Sequence, residues 1–198
     1  MVTAAQPTVL IVEDELDVAE TYERWLAADY TVVLATSGSE ALSKLDDSVD
    51  VVLLDRMMPE MSGDAVLEEI RSRDIDCRVA MVTAVDPDFD IIEMGFDEYV
   101  TKPPTRDQLR DTVERLLARG AVAGDLQQYF SLVARKAALE AEFTRRVLES
   151  NEEYNDLVAR IERARANLDT SFDGLSSDSD FIGVLRAIVD DDSSSDTS

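Results

Sequence analysis

The chain has 198 residues, of which 45% are hydrophobic and 31% charged, with a formal net charge of −24 and no histidine. That length allows one or two domains with a real core. The missing histidine excludes a histidine kinase, a His phosphotransfer module, a His-ligated metal protein and any Ser-His or Cys-His nucleophile pair, while the negative charge argues against general binding to phosphate backbones.

No apolar run approaches the roughly 18 residues needed to span a bilayer, and residues 1–7 hold no basic stretch leading into an apolar one. Neither a membrane segment nor a secretory signal is expected, and the cytoplasm is the expected compartment. The single cysteine, Cys77, fits a reducing compartment and a packing role. Only Lys44, Lys102 and Lys136 are lysines, against 16 arginines. Abundant acid with little lysine resembles the surface chemistry of halophiles, which stays soluble in screening salt.

In chain order, residues 8–12, 31–35, 49–54, 79–83 and 98–101 are short apolar or β-branched runs bounded by turn or charged residues, as buried parallel strands are. Amphipathic stretches at 16–28, 39–45, 65–73, 89–94 and 106–118 follow them in turn. The first places Val18, Ala19, Tyr22, Trp25 and Leu26 on one helical face. Five strand-then-helix repeats predict an α/β domain with a doubly wound five-stranded parallel sheet over residues 1–119. Gly120 and Gly124 then predict a linker over 120–124.

Residues 125–169 lack Gly and Pro and read as helical. Leu139, Phe143, Val147, Tyr154, Leu157, Ile161, Ala164 and Leu168 follow in steps of three and four, a coiled-coil-like seam with Ser150 at one step. The segment is one long helix or a hairpin turning near Ser150, where Ser150-Asn151-Glu152-Glu153 fits a capping box. The hairpin is preferred, because a lone helix cannot bury that stripe within one chain; pairing two chains into a homodimer is the other way to cover it. Residues 170–180 read as a loop and 181–189 as a short helix closing a helical domain over 125–189. Residues 190–198 read as a disordered acidic tail. Net charge is −16 over residues 1–119, −2 over 120–169 and −6 over 170–198, so the helical unit is the least acidic part. Its Arg135, Lys136, Arg145, Arg146, Arg160, Arg163 and Arg165 either touch an anionic partner or, as preferred here, pair with neighbouring glutamates such as Glu140 and Glu149.

Ligands of open parallel sheets sit at the carboxyl ends of the strands. Strand one runs into Glu13-Asp14-Glu15, strand three into Asp55, strand four ends on Thr83, and strand five is followed by Lys102. The fold gathers these groups into one pocket. Crowded carboxylates call for a divalent cation, and Mg²⁺ accepts oxygen ligands while keeping much of its water, so Glu13, Asp14 and Asp55 are the candidate ligands. With charge neutralised there, the Asp55 carboxylate can attack phosphorus to form an aspartyl phosphate, with Lys102 and Thr83 meeting the phosphoryl oxygens.

These residues give the chain its resemblance to the receiver domain of two-component response regulators. Val9 to Glu15 is similar to that family's first strand and acidic pair, and Val51 to Gly63 to its phosphoacceptor strand and loop. Met81-Val82-Thr83-Ala84 matches the switch hydroxyl and the small residue after it, and Asp97 to Pro103 the switch aromatic Tyr99, Lys102 and the following Pro103. The resemblance implies a flavodoxin-like fold, phosphorylation of Asp55 by a partner histidine kinase, a metal contact from the Met57 carbonyl, and a cis Lys102–Pro103 bond. Glu13 departs from the pattern, in which Asp is commoner, and its longer arm changes the reach to the metal. Through Tyr129, Lys136, Leu139, Glu140, Ser150, Glu153, Tyr154, Leu157 and Ile161, the second unit resembles the HalX-type helical domain attached to receivers in halophilic archaea.

The function expected is therefore a phosphorelay switch with a helical output or assembly module, possible links to transcription, and no enzymatic turnover beyond slow self-dephosphorylation. A phosphatase of the aspartate-nucleophile class needs a second Asp two residues after the nucleophile, where this chain has Met57. A phosphorylation-independent scaffold is the other alternative, against which the complete pocket argues. No helix-turn-helix or zinc motif is visible, so direct DNA binding is unsupported.

Overall fold

A computed structural model of the chain describes residues 6–73, 75–120 and 124–173. Five parallel strands, β1 (Thr8–Val12), β2 (Thr31–Ala35), β3 (Val51–Leu54), β4 (Arg78–Thr83) and β5 (Glu98–Thr101), form one sheet in the order β2-β1-β3-β4-β5. The connecting helices are α1 (Leu16–Leu26), α2 (Gly38–Lys44), α3 (Gly63–Ser72), a five-residue 3₁₀ helix (Phe89–Glu93) and α4 (Arg106–Gly120). The order reverses beside β1, so the ends of β1 and β3 flank the crevice where such sheets bind ligands.

Strand residues alternate between two faces. Val9, Ile11, Val51, Leu53, Ala80 and Val82 face α1 and α4, burying Ala19, Tyr22 and Leu26 with Leu109, Val113 and Leu116. Leu10, Val12, Val52, Leu54, Val79 and Met81 face the other way, toward Val66, Leu67 and Ile70 of α3 and Ile91 and Ile92 of the 3₁₀ helix. The expected doubly wound α/β architecture is present. The stretch predicted helical at 89–94 is a 3₁₀ helix of one turn or so. Pro87 lies just before it and Gly95 just after, and the Asp88 side chain accepts a 2.7 Å hydrogen bond from the Phe89 N–H at its start.

Beyond α4 the chain forms α5 (Gly124–Glu142), a short α6 (Arg145–Glu149) and α7 (Glu152–Asp173). It is a hairpin, which resolves the alternative left open by the sequence. The return takes two steps rather than a single turn near Ser150. Phe143 and Thr144 leave the helix first. The Asn151 side chain then caps α7, accepting from the Tyr154 N–H at 2.8 Å, while the Ser150 hydroxyl bonds back to the Val147 carbonyl. The capping signal was therefore displaced by one residue. The break also shifts the seam's phase: Val147 is 43% exposed, and Leu148 is buried in its place. Leu139, Tyr154, Leu157 and Leu168 are buried as expected, and the seam is covered within one chain.

Two further expectations change. Gly120 closes α4 and Gly124 opens α5, so these glycines occupy helix ends, where the helix-interior penalty of about 1 kcal/mol for Gly is not fully incurred, instead of bounding a five-residue linker. Thr170 to Asp173 continue α7 where a loop was expected. The remainder of that loop, the 181–189 helix and the 190–198 tail lie outside the described residues. Among the described residues, no helix is long and apolar enough to cross a membrane.

The hairpin does not float beside the α/β domain. Leu132, Leu139, Leu148, Tyr154 and Leu157 join the buried cluster that contains Leu10, Val52 and Met81. Leu157 is fully buried. Leu157→Ala is expected to cost about 2–5 kcal/mol of unfolding free energy, read from the urea midpoint. It should also shift a single transition for the whole chain; two separated transitions would contradict the shared core.

Candidate functional site: an acidic pocket at the strand ends

The pocket forms where backbone bonds continue the sheet beyond the strand ends. The Glu13 N–H donates to Ala35 O at 3.0 Å, Asp55 N–H to Val12 O at 2.9 Å, and Lys102 N–H to Thr83 O at 2.8 Å. These bonds carry four strand ends into one place. One oxygen each from Glu13, Asp14 and Asp55 lies within 4.8 Å of the others. Glu13 and Asp55 are nearly buried, at 2% and 7% exposed.

Lys102 lies between two of these carboxylates. Its Nζ is 2.6 Å from Glu13 Oε2 and 2.5 Å from Asp55 Oδ2. The other Asp55 oxygen, Oδ1, accepts from the Met57 N–H at 3.1 Å. Burial pushes the Glu13 pKa up, opposed by Lys102. Burial would pull the Lys102 pKa down, but its bonds to Asp55 and Glu13 outweigh that and leave it raised. Lys102 therefore stays a cation.

Three carboxylates against one ammonium leave two negative charges, which one divalent cation balances. Glu13 Oε1 is buried without a hydrogen-bond partner, an orphaned acceptor that a metal or its water would satisfy. An all-oxygen donor set suits Mg²⁺. The residues present thus fit the expected cofactor.

The other predicted residues are close by. Thr83 is fully buried, and its hydroxyl accepts from the Val85 N–H at 3.3 Å. Ala84 beside it is exposed. The Tyr99 hydroxyl donates to Val85 O at 2.7 Å, tying β5 to the loop after β4. The Lys102–Pro103 peptide is cis. Met57 sits in the loop after β3 with its side chain 66% exposed. That loop is tight: Glu60 takes a left-handed φ of 64°, and a Cβ on Gly63 would lie 2.2 Å from Asp55 O and 2.8 Å from Arg56 Cα. Gly63 is thus required for α3 to start against the Asp55–Arg56 backbone.

Spacing did not single out Arg56, and it marked Arg135 only as one of seven basic residues of the helical unit. Arg56 pairs with Asp64 at 3.1 Å and with Asp90. Burial acts to lower its pKa, but the two aspartates raise it overall. Arg135, 8% exposed, donates to Ile92 O at 2.8 Å and to the Ser131 hydroxyl at 2.9 Å. Its partner across the interface lies 43 residues away, so no local pattern marks it. The preferred pairing of basic side chains with nearby glutamates holds for Lys136 with Glu140 and Arg145 with Glu149. It does not hold for Arg135 or for Arg160, whose partner is Glu93 before β5. Helical spacing places these two on the face that meets the α/β domain.

Comparison with known proteins agrees with the geometry. The model of the response regulator receiver domain matches residues 9–114, and that of the HalX domain matches 118–185. A Haloferax volcanii protein, provisionally named a transcriptional regulator, is 44% identical over 196 residues, taking in 94% of this chain and 34% of that protein. The response regulator SaeR of Staphylococcus aureus is 34% identical over 115 residues, covering 56% of this chain and 50% of SaeR. The chain thus spans a third to a half of the length of these relatives. Among solved structures, the Thermotoga maritima response regulator TrrA, in complex with Mg²⁺ and BeF, superposes with a TM-score of 0.51 at 34% identity, over 56% of this chain and 99% of that one.

Removing the Lys102 ammonium leaves Glu13 and Asp55 buried against each other. Lys102→Met is expected to lose on the order of 3 kcal/mol in magnesium-free buffer and to gain more stability from added Mg²⁺ than the wild type does, measured by urea unfolding at several Mg²⁺ concentrations. Equal magnesium increments in both chains would remove Lys102 from the charge balance of the pocket.

Proposed function

The chain belongs to the two-component response regulator family, with a receiver domain followed by a HalX domain, and from that membership we propose that Asp55 accepts a phosphoryl group from a partner histidine kinase and that the helical hairpin passes the result on. The observation that carries the reading is the Lys102 ammonium lodged between Asp55 and Glu13 beside an orphaned Glu13 oxygen. An aspartate with a cation at one oxygen and a backbone N–H at the other, within reach of a fitting metal site, is equipped to become an aspartyl phosphate.

In the proposed step an Asp55 carboxylate oxygen attacks phosphorus. The bond from phosphorus to the kinase imidazole breaks, and its electron pair stays on that nitrogen, which leaves as neutral imidazole when the other ring nitrogen carries its proton. Glu13, Asp14, Asp55 and the Met57 carbonyl would hold Mg²⁺, which would supply positive charge at the phosphoryl oxygens. Lys102 turns from Asp55 to one phosphoryl oxygen. The Thr83 hydroxyl donates to another, and Ala84, small and exposed, leaves room for the group. Tyr99 follows the movement at Thr83 through Val85, to which both side chains bond. Pro103 fixes the chain direction after Lys102. Positioning and charge stabilisation do most of the work in such transfers. Met57 stands where an aspartate-nucleophile phosphatase needs its acid, so the reaction is stoichiometric apart from slow self-dephosphorylation.

The hairpin is the proposed output element. The name of the Haloferax relative points to transcription as the process it serves. The net charge of −24 favours action through a protein partner over a direct grip on DNA. A histidine-kinase partner and the single buried Cys77 make the cytoplasm the proposed compartment.

A small phosphodonor such as acetyl phosphate with Mg²⁺ is expected to add one phosphoryl group to the full chain, seen by intact-mass spectrometry, and to add none to Asp55→Asn. Chelating Mg²⁺ should abolish the labelling of the wild type. Labelling that survives Asp55→Asn would sink the assignment.

A further inference from the structure

The short 3₁₀ helix, Phe89–Glu93, bonds to both halves of the molecule. On one side the Asp90 carboxylate meets the Arg56 guanidinium. Arg56 directly follows Asp55, and its guanidinium also holds Asp64 in the first turn of α3, at 3.1 Å from Nε and 3.1 Å from Nη2. On the other side three contacts reach the hairpin. The Phe89 ring stacks on Phe143, with centroids 4.9 Å apart and an interplanar angle of 18°. Ile92 O accepts from Arg135 Nη1 at 2.8 Å. Glu93 Oε1 accepts from Arg160 Nη1 at 2.7 Å. Ile91, between them, is fully buried.

We propose that the Arg56–Asp90 ion pair is the link by which the state of Asp55 reaches the helical hairpin, with the 3₁₀ helix as the moving part. The inference rests on the reading of Asp55 as phosphoacceptor. Arg56 and Asp90 are positioning residues in it: neither is placed among the groups that meet the phosphoryl.

Three features make the link mechanically sound. First, the Asp55–Arg56 backbone is clamped. Gly63 N–H donates to Arg56 O at 2.8 Å, and Gly63 sits so close that a Cβ there would overlap Asp55 O. A shift of Asp55 is therefore shared with Arg56. Second, arginine's planar fork can hold two carboxylates at once. With Asp64 as a fixed point on α3, the guanidinium aims at Asp90. The Arg56 side chain is 11% exposed and that of Asp90 52%, so the pair is shielded from solvent on the arginine side only. Third, a single turn of 3₁₀ helix has few backbone bonds of its own and shifts more readily than a packed α-helix. The Tyr99 hydroxyl donates to Val85 O and also meets the Arg56 guanidinium, whereas residues 89–93 themselves carry the ring stack, the carbonyl bond and the ion pair to the hairpin. Two sites that bias one movable element are thermodynamically coupled in both directions.

The test uses the full chain, with beryllofluoride plus Mg²⁺ as the phosphoryl mimic and hydrogen exchange of α5 and α7 as the readout. In the wild type, exchange in the hairpin should change by about tenfold on adding the mimic. Asp90→Asn should still be labelled at Asp55 by acetyl phosphate, and its hairpin exchange should no longer respond to the mimic. Asp90→Glu, which keeps the ion pair, should restore the response. A purely structural role for Asp90 would shift exchange equally with and without the mimic, so the mimic-induced difference is the quantity that decides. If Asp90→Asn retains the full response, the link is overturned. If the wild type is labelled but its hairpin does not respond, the link is overturned and the phosphoacceptor reading stands. If the wild type takes up no phosphoryl group on Asp55, that reading fails and the link falls with it.

Discussion

One ammonium between two nearly buried carboxylates sets the terms for the rest of the molecule. Lys102 can reach Glu13 and Asp55 together only because β5 lies at the sheet edge next to β4 and its exit is bonded to Thr83 O. Each carboxylate would be costly to bury alone, and the lysine would be costly to bury without them. Strand order, register and the cis turn after Lys102 all serve this single arrangement. It still leaves the pocket two charges negative and one Glu13 oxygen unsatisfied, which suits a site that takes up a divalent cation.

The second constraint is the shared core. A hairpin of two helices exposes an apolar stripe that must be covered, and here part of it is covered by the face of the sheet that α3 only partly shields. The 3₁₀ helix between β4 and β5 is short enough to let α5 and α7 approach. Phe143 against Phe89, and Leu157 and Tyr154 within the sheet-side cluster, follow from that approach. The polar bonds at the same seam are few and specific. The Ser131 hydroxyl donates to Phe96 O at 2.5 Å, and Arg135 lies over the Phe96 ring, 5.8 Å from its centroid. Such bonds give the docking one geometry, whereas apolar packing alone tolerates several.

Much of this was legible in residue order. Each strand announced itself as a short apolar run, and the polar residues at the strand ends appeared in the right sequence for one pocket. The helical unit was legible as helix, and its hairpin form followed from the need to cover a stripe. The errors have local causes. Val147 lost its place in the seam to Leu148 because Phe143 and Thr144 break the helical phase, and a phase break cannot be seen by counting threes and fours across it. Asn151 rather than Ser150 caps α7, since either residue type can cap and only the backbone path chooses. Gly120 and Gly124 read as breakers, yet both sit at helix ends where the cost is small.

The residue sequence by itself determined the α/β class, the parallel sheet and the identity of the pocket: Glu13, Asp14, Asp55, Thr83 and Lys102 follow strand ends whatever surrounds them, and a parallel sheet gathers its carboxyl ends on one edge. What only the tertiary structure decided is where the hairpin lies and what ties it there. Arg56 finds Asp90 across 34 residues, Arg135 finds Ile92 across 43, and Arg160 finds Glu93 across 67. Periodicity reports a residue's own helix or strand. It carries no information about partners on another element, because those distances are set by how the layers pack.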